Sequence, residues 1–142
     1  MTEKLPVMMT RASRIYWHDD DRTVLVHHVA HVWDWSDAHF SIGMVNRVIC
    51  QQDHDVYTIH HFEGDGARLP ETHSLLTVRH LITEDPPNEK LVIFLNAPLV
   101  LKRFMGIAAT VYRLAQVEPK YIYVTSMEEA LRIIEQRRSG EP

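Results

Sequence analysis

The sequence predicts an α/β fold in which helices cover a mostly parallel sheet. Segments typical of strands and of helices alternate along most of the chain, and this alternation requires crossover connections, which favour parallel strands. The short run "KLVIFLNA" is continuously apolar, as expected of a central strand buried on both faces. Near the beginning, two strand-like segments are joined by a short acidic turn. We therefore expect an N-terminal hairpin followed by a βαβαβα succession, giving a five-stranded, mostly parallel mixed sheet covered by four helices.

The first half of the chain contains the hairpin, one helix and one strand. The stretch "SRIYWHDDDRTVLVHHVA" predicts two strands joined by an acidic turn at 19–22. Asp34 or Ser36 can cap a helix that reaches about Gln52. Five apolar residues recur at helical spacing and predict its buried face: Phe40, Met44, Val45, Val48 and Ile49. A strand over 56–62 and a glycine-containing loop over 63–70 follow.

The second half predicts three more helices. One covers about 72–84 and ends before Pro86-Pro87. Pro98 occupies a favoured first-turn position of a long helix that reaches about Gln116. After the strand "YIYVT", Ser126 and Glu129 form a capping box that opens the last helix. We assign residues 1–11 to an N-terminal extension, 12–138 to a single domain and 139–142 to a C-terminal tail.

Composition narrows the class of protein. The 142 residues carry a formal net charge of −4, which argues against a nucleic-acid-binding module. Cys50 is the only cysteine, so an internal disulfide and a Cys-rich zinc site are excluded; we expect it to be packed, and a reducing cytoplasm suits this composition. The N-terminal stretch has no long apolar run and carries Glu3, so we expect no signal peptide. Lys102, Arg103 and Arg113 interrupt the longest apolar-rich stretch, so we expect no membrane insertion.

Over roughly residues 12–138 the sequence resembles the STAS family of sulfate transporter and anti-sigma factor antagonist domains, including the SpoIIAA-like group. The stretches that carry the resemblance are "RIYWHDDDRTVLVHHVA", "KLVIFLN" and "YIYVTSMEEALRIIEQ". The resemblance implies a right-handed succession of βα units against a five-stranded sheet. It also implies a phosphorylated serine where a helix begins after the third strand. The matching stretch here, "EGDGARLPETHSLL", lacks the family's Asp-Ser-Ser-Gly type of motif, so Thr72 and Ser74 are the phosphoacceptor candidates. Thr72 is also a natural N-cap.

Histidines and acids cluster around "VYTIHHFEGDGARLP". Side chains of successive strand residues point to opposite faces, so His60 and His61 cannot easily share one metal ion, and the same holds for His27 and His28. No compact metal motif appears, so we predict no metal and no other cofactor. A ligand-binding or recognition loop at the carboxyl end of a parallel strand is the alternative, with the candidates His60, His61, Glu63, Asp65 and His73.

The helix "PLVLKRFMGIAATVYRLAQV" is apolar around much of its circumference. Such surplus apolar area indicates either deep burial in its own domain or a partner surface. Gly106 and Ala109 would let another element approach closely. If this surface binds a partner, a symmetric homodimer is the simplest arrangement. The candidate interface residues are Phe104, Met105, Gly106, Ala109 and Tyr112.

These observations predict a non-enzymatic STAS-like regulatory domain that acts through protein contacts in the cytoplasm. The alternative is a domain that binds a small molecule or lipid in a crevice near residues 60–74. An enzyme has the least support, because the sequence contains no catalytic motif and we assign no catalytic residue.

Overall fold

The computed structural model describes residues 7–9, 13–30, 35–63, 86–114, 116 and 120–140. These residues form an α/β structure, as predicted. Its mixed sheet has six strands: β1 (Met8–Met9), β2 (Ser13–Trp17), β3 (Val24–Val29), β4 (Val56–Phe62), β5 (Glu89–Leu95) and β6 (Tyr121–Val124). The described residues also contain three helices: α1 (Trp35–Cys50), α2 (Leu99–Leu114) and α3 (Met127–Arg138).

The strands lie in the sheet in the order in which they occur in the chain. β1, β2 and β3 pair antiparallel, which confirms the hairpin, and β3 to β6 pair parallel. The sheet has one strand more than the five predicted. Met8 and Met9, which lie in the segment assigned to the N-terminal extension, pair with Ile15 and Arg14 of β2. A two-residue strand is too short to produce a periodic pattern. The helix predicted over 72–84 lies outside the described residues.

Helices pack against both faces of the sheet. On one face, called the α1/α2 face, α1 and α2 bury side chains of β2 to β5. On the opposite face, called the α3 face, Ala130 and Ile134 of α3 pack on the central strands. The described part of the chain contains no helix long and apolar enough to cross a bilayer.

The buried face of α1 differs from the predicted one. Val45, Val48 and Ile49 are buried as expected, whereas Phe40 is 55% exposed and the inward position is taken by Ser41. Residues 41, 45, 48 and 49 form one helical stripe, and a neighbouring residue is rotated from that stripe by about 100°. Burial of Ser41 is possible because its hydroxyl forms a hydrogen bond with the hydroxyl of Ser13 on β2. The apolar pattern of the helix does not reveal this contact. Cys50, expected to be packed, is exposed at the last position of α1.

Side-chain hydrogen bonds fix the amino-terminal end of the parallel strands. The Asn88 amide donates to the carbonyls of Ile49 and His54, at 2.8 and 3.0 Å, and so joins the end of α1 to the entry of β5. Lys120 Nζ donates to the Glu89 carbonyl at 2.6 Å across the β5–β6 pair. The histidines lie at the other end of these strands, near the carboxyl ends of β3 and β4.

Candidate functional site

Two successive histidines occur in each of the neighbouring strands β3 and β4. The parallel register places His27 opposite His60, and His28 opposite His61. The first pair lies on the α1/α2 face and the second on the α3 face, which confirms that strand geometry separates His60 from His61. The contact between histidines of different strands was not predicted. The repeated His-His dipeptide was the available signal, but the register that aligns the two dipeptides cannot be read from the sequence.

The pair on the α1/α2 face is buried in the core. His27 and His60 are 4% and 5% exposed, and their Nδ1 atoms are 2.8 Å apart. The rings meet edge to face, with centroids 5.1 Å apart, and His60 stacks on Phe94 at 5.5 Å. A hydrogen bond between two ring nitrogens requires one N–H and one bare nitrogen. The two neutral imidazoles therefore adopt complementary protonation at Nδ1.

Burial keeps both rings neutral. It lowers the pKa of His27 well below 6.5, assisted by the charges that His60 and His28 would carry. Burial also lowers the pKa of His60 to about 4. The Nε2 atom of His27 is buried, and it has no hydrogen-bond partner among the described residues. An unpaired buried nitrogen costs about 1–3 kcal/mol, so this atom is a point at which a bound polar group would be stabilised.

Two further hydrogen-bonded polar pairs lie on the same face. The hydroxyls of Ser13 and Ser41 are 2.6 Å apart and join β2 to α1. The Thr58 hydroxyl donates to Glu89 Oε2 at 2.7 Å and joins β4 to β5. With the histidine pair they form a buried polar band, made of Ser13, Ser41, His27, His60, Thr58 and Glu89. The band was not predicted, because serine, threonine and glutamate are read by default as exposed residues.

The second histidine pair is partly exposed on the α3 face. The rings of His28 and His61 meet edge to face with centroids 4.9 Å apart. His28 Nε2 lies 3.2 Å from Glu63 Oε1, a carboxylate whose side chain is 57% exposed. Burial lowers the pKa of His61, as does the neighbouring His28, while Glu63 opposes the shift. His28, His61 and Glu63 thus form a polar surface at the carboxyl ends of β3 and β4.

The predicted recognition loop is only partly described. His60, His61 and Glu63 lie together at the end of β4, although His60 faces the side opposite to the other two. Asp65, Thr72, His73 and Ser74 lie outside the described residues. Among the residues that are described, no group of three His, Cys, Asp or Glu side chains could hold a metal ion.

The residues of the predicted interface on α2 have different environments. Tyr112 is 7% exposed and belongs to the core of its own domain. Met105 is half-buried against the same cluster, and Ala109 is half-buried. Gly106 is exposed, and a Cβ atom added to it would meet nothing within 4 Å. The side chain of Phe104 lies outside the described part of the chain.

Comparison with protein-family models, curated proteins and solved structures gave no match to this chain. The two histidine pairs supply the chemistry available at this site. Neutral buried rings can donate or accept hydrogen bonds. The partly exposed pair presents the same donors and acceptors to a ligand from solution.

Proposed function

We propose that this chain is a non-enzymatic binding domain of the STAS-like kind, and that a small molecule docks at its buried histidine pair. The observation that carries the proposal is His27 Nε2, a core nitrogen without a partner among the described residues. The pair lies near the carboxyl ends of two parallel strands, where α/β folds often bind ligands. The N-terminal hairpin, the parallel strands and the Ser126-capped last helix support the STAS-like assignment.

The surroundings of the pair define the class of ligand. Both histidines are neutral, so an anionic group would lose its hydration without gaining an opposite charge from them. Ile15 of β2 lies opposite His27 of β3, and Phe94 stacks on His60. The matching ligand has an apolar body and one neutral hydrogen-bonding group. A long-chain alcohol or a protonated fatty acid has this chemistry.

Nitrogen-15 NMR of the histidine side chains, with long-chain alcohols, fatty acids and sterols as probes, tests this proposal. We expect a binding compound to shift the resonance of His27 Nε2 and to raise the melting temperature. A ligand at 100 times its Kd would add about 2.7 kcal/mol of stability. His27→Leu should abolish both effects, whereas His28→Gln, on the opposite face, should retain them. Binding that is equally strong in His27→Leu, or a panel in which no compound moves Nε2, contradicts the proposal.

Regulation through protein contacts in the cytoplasm is the second candidate function. It is favoured by the outward stripe of α2, where Leu99 is 63% exposed and Leu114 is 80% exposed. Gly106 lies between them on the same stripe and leaves room for a partner. The simplest partner is a second copy of the chain, and in this function Thr72 and Ser74 remain the phosphorylation candidates.

Light scattering at increasing protein concentration tests the self-association. We expect the Leu99→Lys/Leu114→Lys variant to remain monomeric where the wild-type chain forms a dimer. Met9→Lys alters an exposed apolar residue on β1 and should not affect the dimer. A wild-type chain that is monomeric at every concentration, or a dimer unchanged by the double substitution, rules out this surface as a self-association site.

A further inference from the structure

Three cation-forming side chains lie side by side on the α3 face. In the register of the sheet Arg14 pairs with His28, and His28 pairs with His61. Adjacent strands are about 4.8 Å apart, and residues paired in register project to the same face. Arg14, His28 and His61 therefore form a row across three strands, called the basic row below.

Solvent reaches the basic row. Arg14 is exposed, and the side chain of His28 is 19% exposed. The adjacent row towards the amino end of the parallel strands contains Val26 and Ile59, both fully buried in the cluster that includes α3. The basic row thus lies at the margin of the packed area. The Arg14 guanidinium lies 5.5 Å from the centre of the Tyr16 ring. No salt bridge among the described residues includes Arg14.

One carboxylate of the chain already occupies part of the row. Glu63 Oε1 lies 3.2 Å from His28 Nε2, although the Glu63 side chain is 57% exposed. A contact made by so exposed a carboxylate contributes about 0–1 kcal/mol, so a stronger anion can displace Glu63. Glu63 is thus an internal competitor for an anion from solution.

We propose that the basic row binds a phosphate group, which replaces the Glu63 carboxylate on His28 and also contacts Arg14 and His61. Three donors side by side match an anion with at least three acceptor oxygens, and a carboxylate has only two. Arginine adds a permanent charge and a planar pair of donors suited to phosphate. The row lies on the face opposite to His27 and His60, so each proposal can fail while the other holds.

The test is a titration with sodium phosphate, followed by backbone amide NMR at pH 6.5 and constant ionic strength. We expect saturable shifts at Arg14, His28 and His61. Arg14→Gln should weaken binding about tenfold, the effect of losing one charge-assisted hydrogen bond. Glu63→Gln should strengthen binding several-fold because it removes the competitor. Arg103→Gln and Glu128→Gln make the same charge changes on exposed helix positions elsewhere and should leave binding unaltered.

Vesicles identify the source of the phosphate. Phosphatidylcholine vesicles with and without phosphatidic acid are compared with free phosphate. Arg14-dependent binding to the phosphatidic acid vesicles indicates a lipid headgroup, and Arg14-dependent binding to free phosphate alone indicates a soluble ligand. The proposal is overturned if neither probe binds, if the shifts do not saturate, or if Arg14→Gln and Arg103→Gln bind equally well.

Discussion

A buried pair of neutral histidines makes the stability of this protein sensitive to acid. The Nδ1–Nδ1 hydrogen bond between His27 and His60 requires a bare nitrogen on one ring. A proton on that nitrogen would remove the acceptor and place a charge in the core. Since burial opposes that charge, the unfolded chain binds protons more readily than the folded one.

This difference predicts a pH window for the loss of stability. An unfolded histidine has a pKa near 6.5, whereas the folded pKa of His60 is about 4. The stability contributed by neutral His60 is complete above pH 6.5 and is lost as the pH falls towards 4. The loss is on the order of 3 kcal/mol for this residue. Urea unfolding at pH 7, 5.5 and 4.5 measures it.

A His27→Leu/His60→Leu variant provides the control. Replacing both members of a buried polar pair by apolar residues leaves no unpaired nitrogen, so we expect the variant to fold. Its free energy of unfolding should change much less between pH 7 and 4.5 than that of the wild type. An equally steep loss in the variant would show that other groups cause the acid sensitivity.

The sequence placed each histidine on the correct strand but did not bring the pairs together. Alternation within a strand is a local property, so the separation of His60 from His61 followed from their positions alone. The contact of His27 with His60 depends on how β3 and β4 align, which the whole sheet determines. The polar band was missed because its contacts also depend on the folded sheet. Ser41 of α1 is buried against Ser13 of β2, a residue 28 positions earlier in the chain.

At the scale of single elements, local signals were sufficient where an element's ends are fixed by its own residues. Helix α3 begins after Ser126, whose hydroxyl accepts from the Glu129 N–H at 3.1 Å, as the capping box predicts. The opposite case is α1, where tertiary packing exposes Phe40 and buries Ser41. Hydrophobic spacing predicted the helix and the burial of Val45, Val48 and Ile49, but not the inward position of Ser41.

Removal of the α3 cap tests the strength of that local signal. We expect Ser126→Ala to lower the free energy of unfolding by about 1 kcal/mol, because the Glu129 N–H loses its acceptor. Ser139→Ala removes a hydroxyl from the exposed carboxyl end of the same helix and should have little effect. Chemical denaturation at pH 7 measures both. Equal effects of the two substitutions would contradict the role of the cap.

At the scale of the whole molecule, the last helix is tied to the first hairpin. Asp19 Oδ1 accepts the N–H groups of Thr23 and Val24, both at 2.9 Å, and Asp19 Oδ2 lies 3.7 Å from the Arg138 guanidinium. Arg138 also donates to the Thr23 hydroxyl and lies 5.7 Å from the Tyr57 ring. Burial raises the pKa of Asp19, but the hydrogen bonds and Arg138 outweigh it and hold the pKa below 3.8.

Asp19→Ala should therefore destabilise the fold by about 1–2 kcal/mol, because two backbone donors of the turn lose their acceptor. Asp20→Ala, at the exposed neighbouring position, is the matched control and should change stability by less than about 0.5 kcal/mol. Thermal unfolding at pH 7 compares the two variants. The contribution of Asp19 should vanish in strong acid, since its lowered pKa stabilises the fold only while the carboxyl is ionised.

The strands lie in the sheet in the order in which they are synthesised, and this order bears on folding during translation. Each strand from β2 to β6 pairs with the strand that precedes it in the chain. A nascent chain leaving the ribosome can therefore add each strand to an edge that already exists, with no gap to be filled later. Because amino-terminal parts emerge first and contacts close in sequence form fastest, this topology permits the sheet to assemble in the direction of translation.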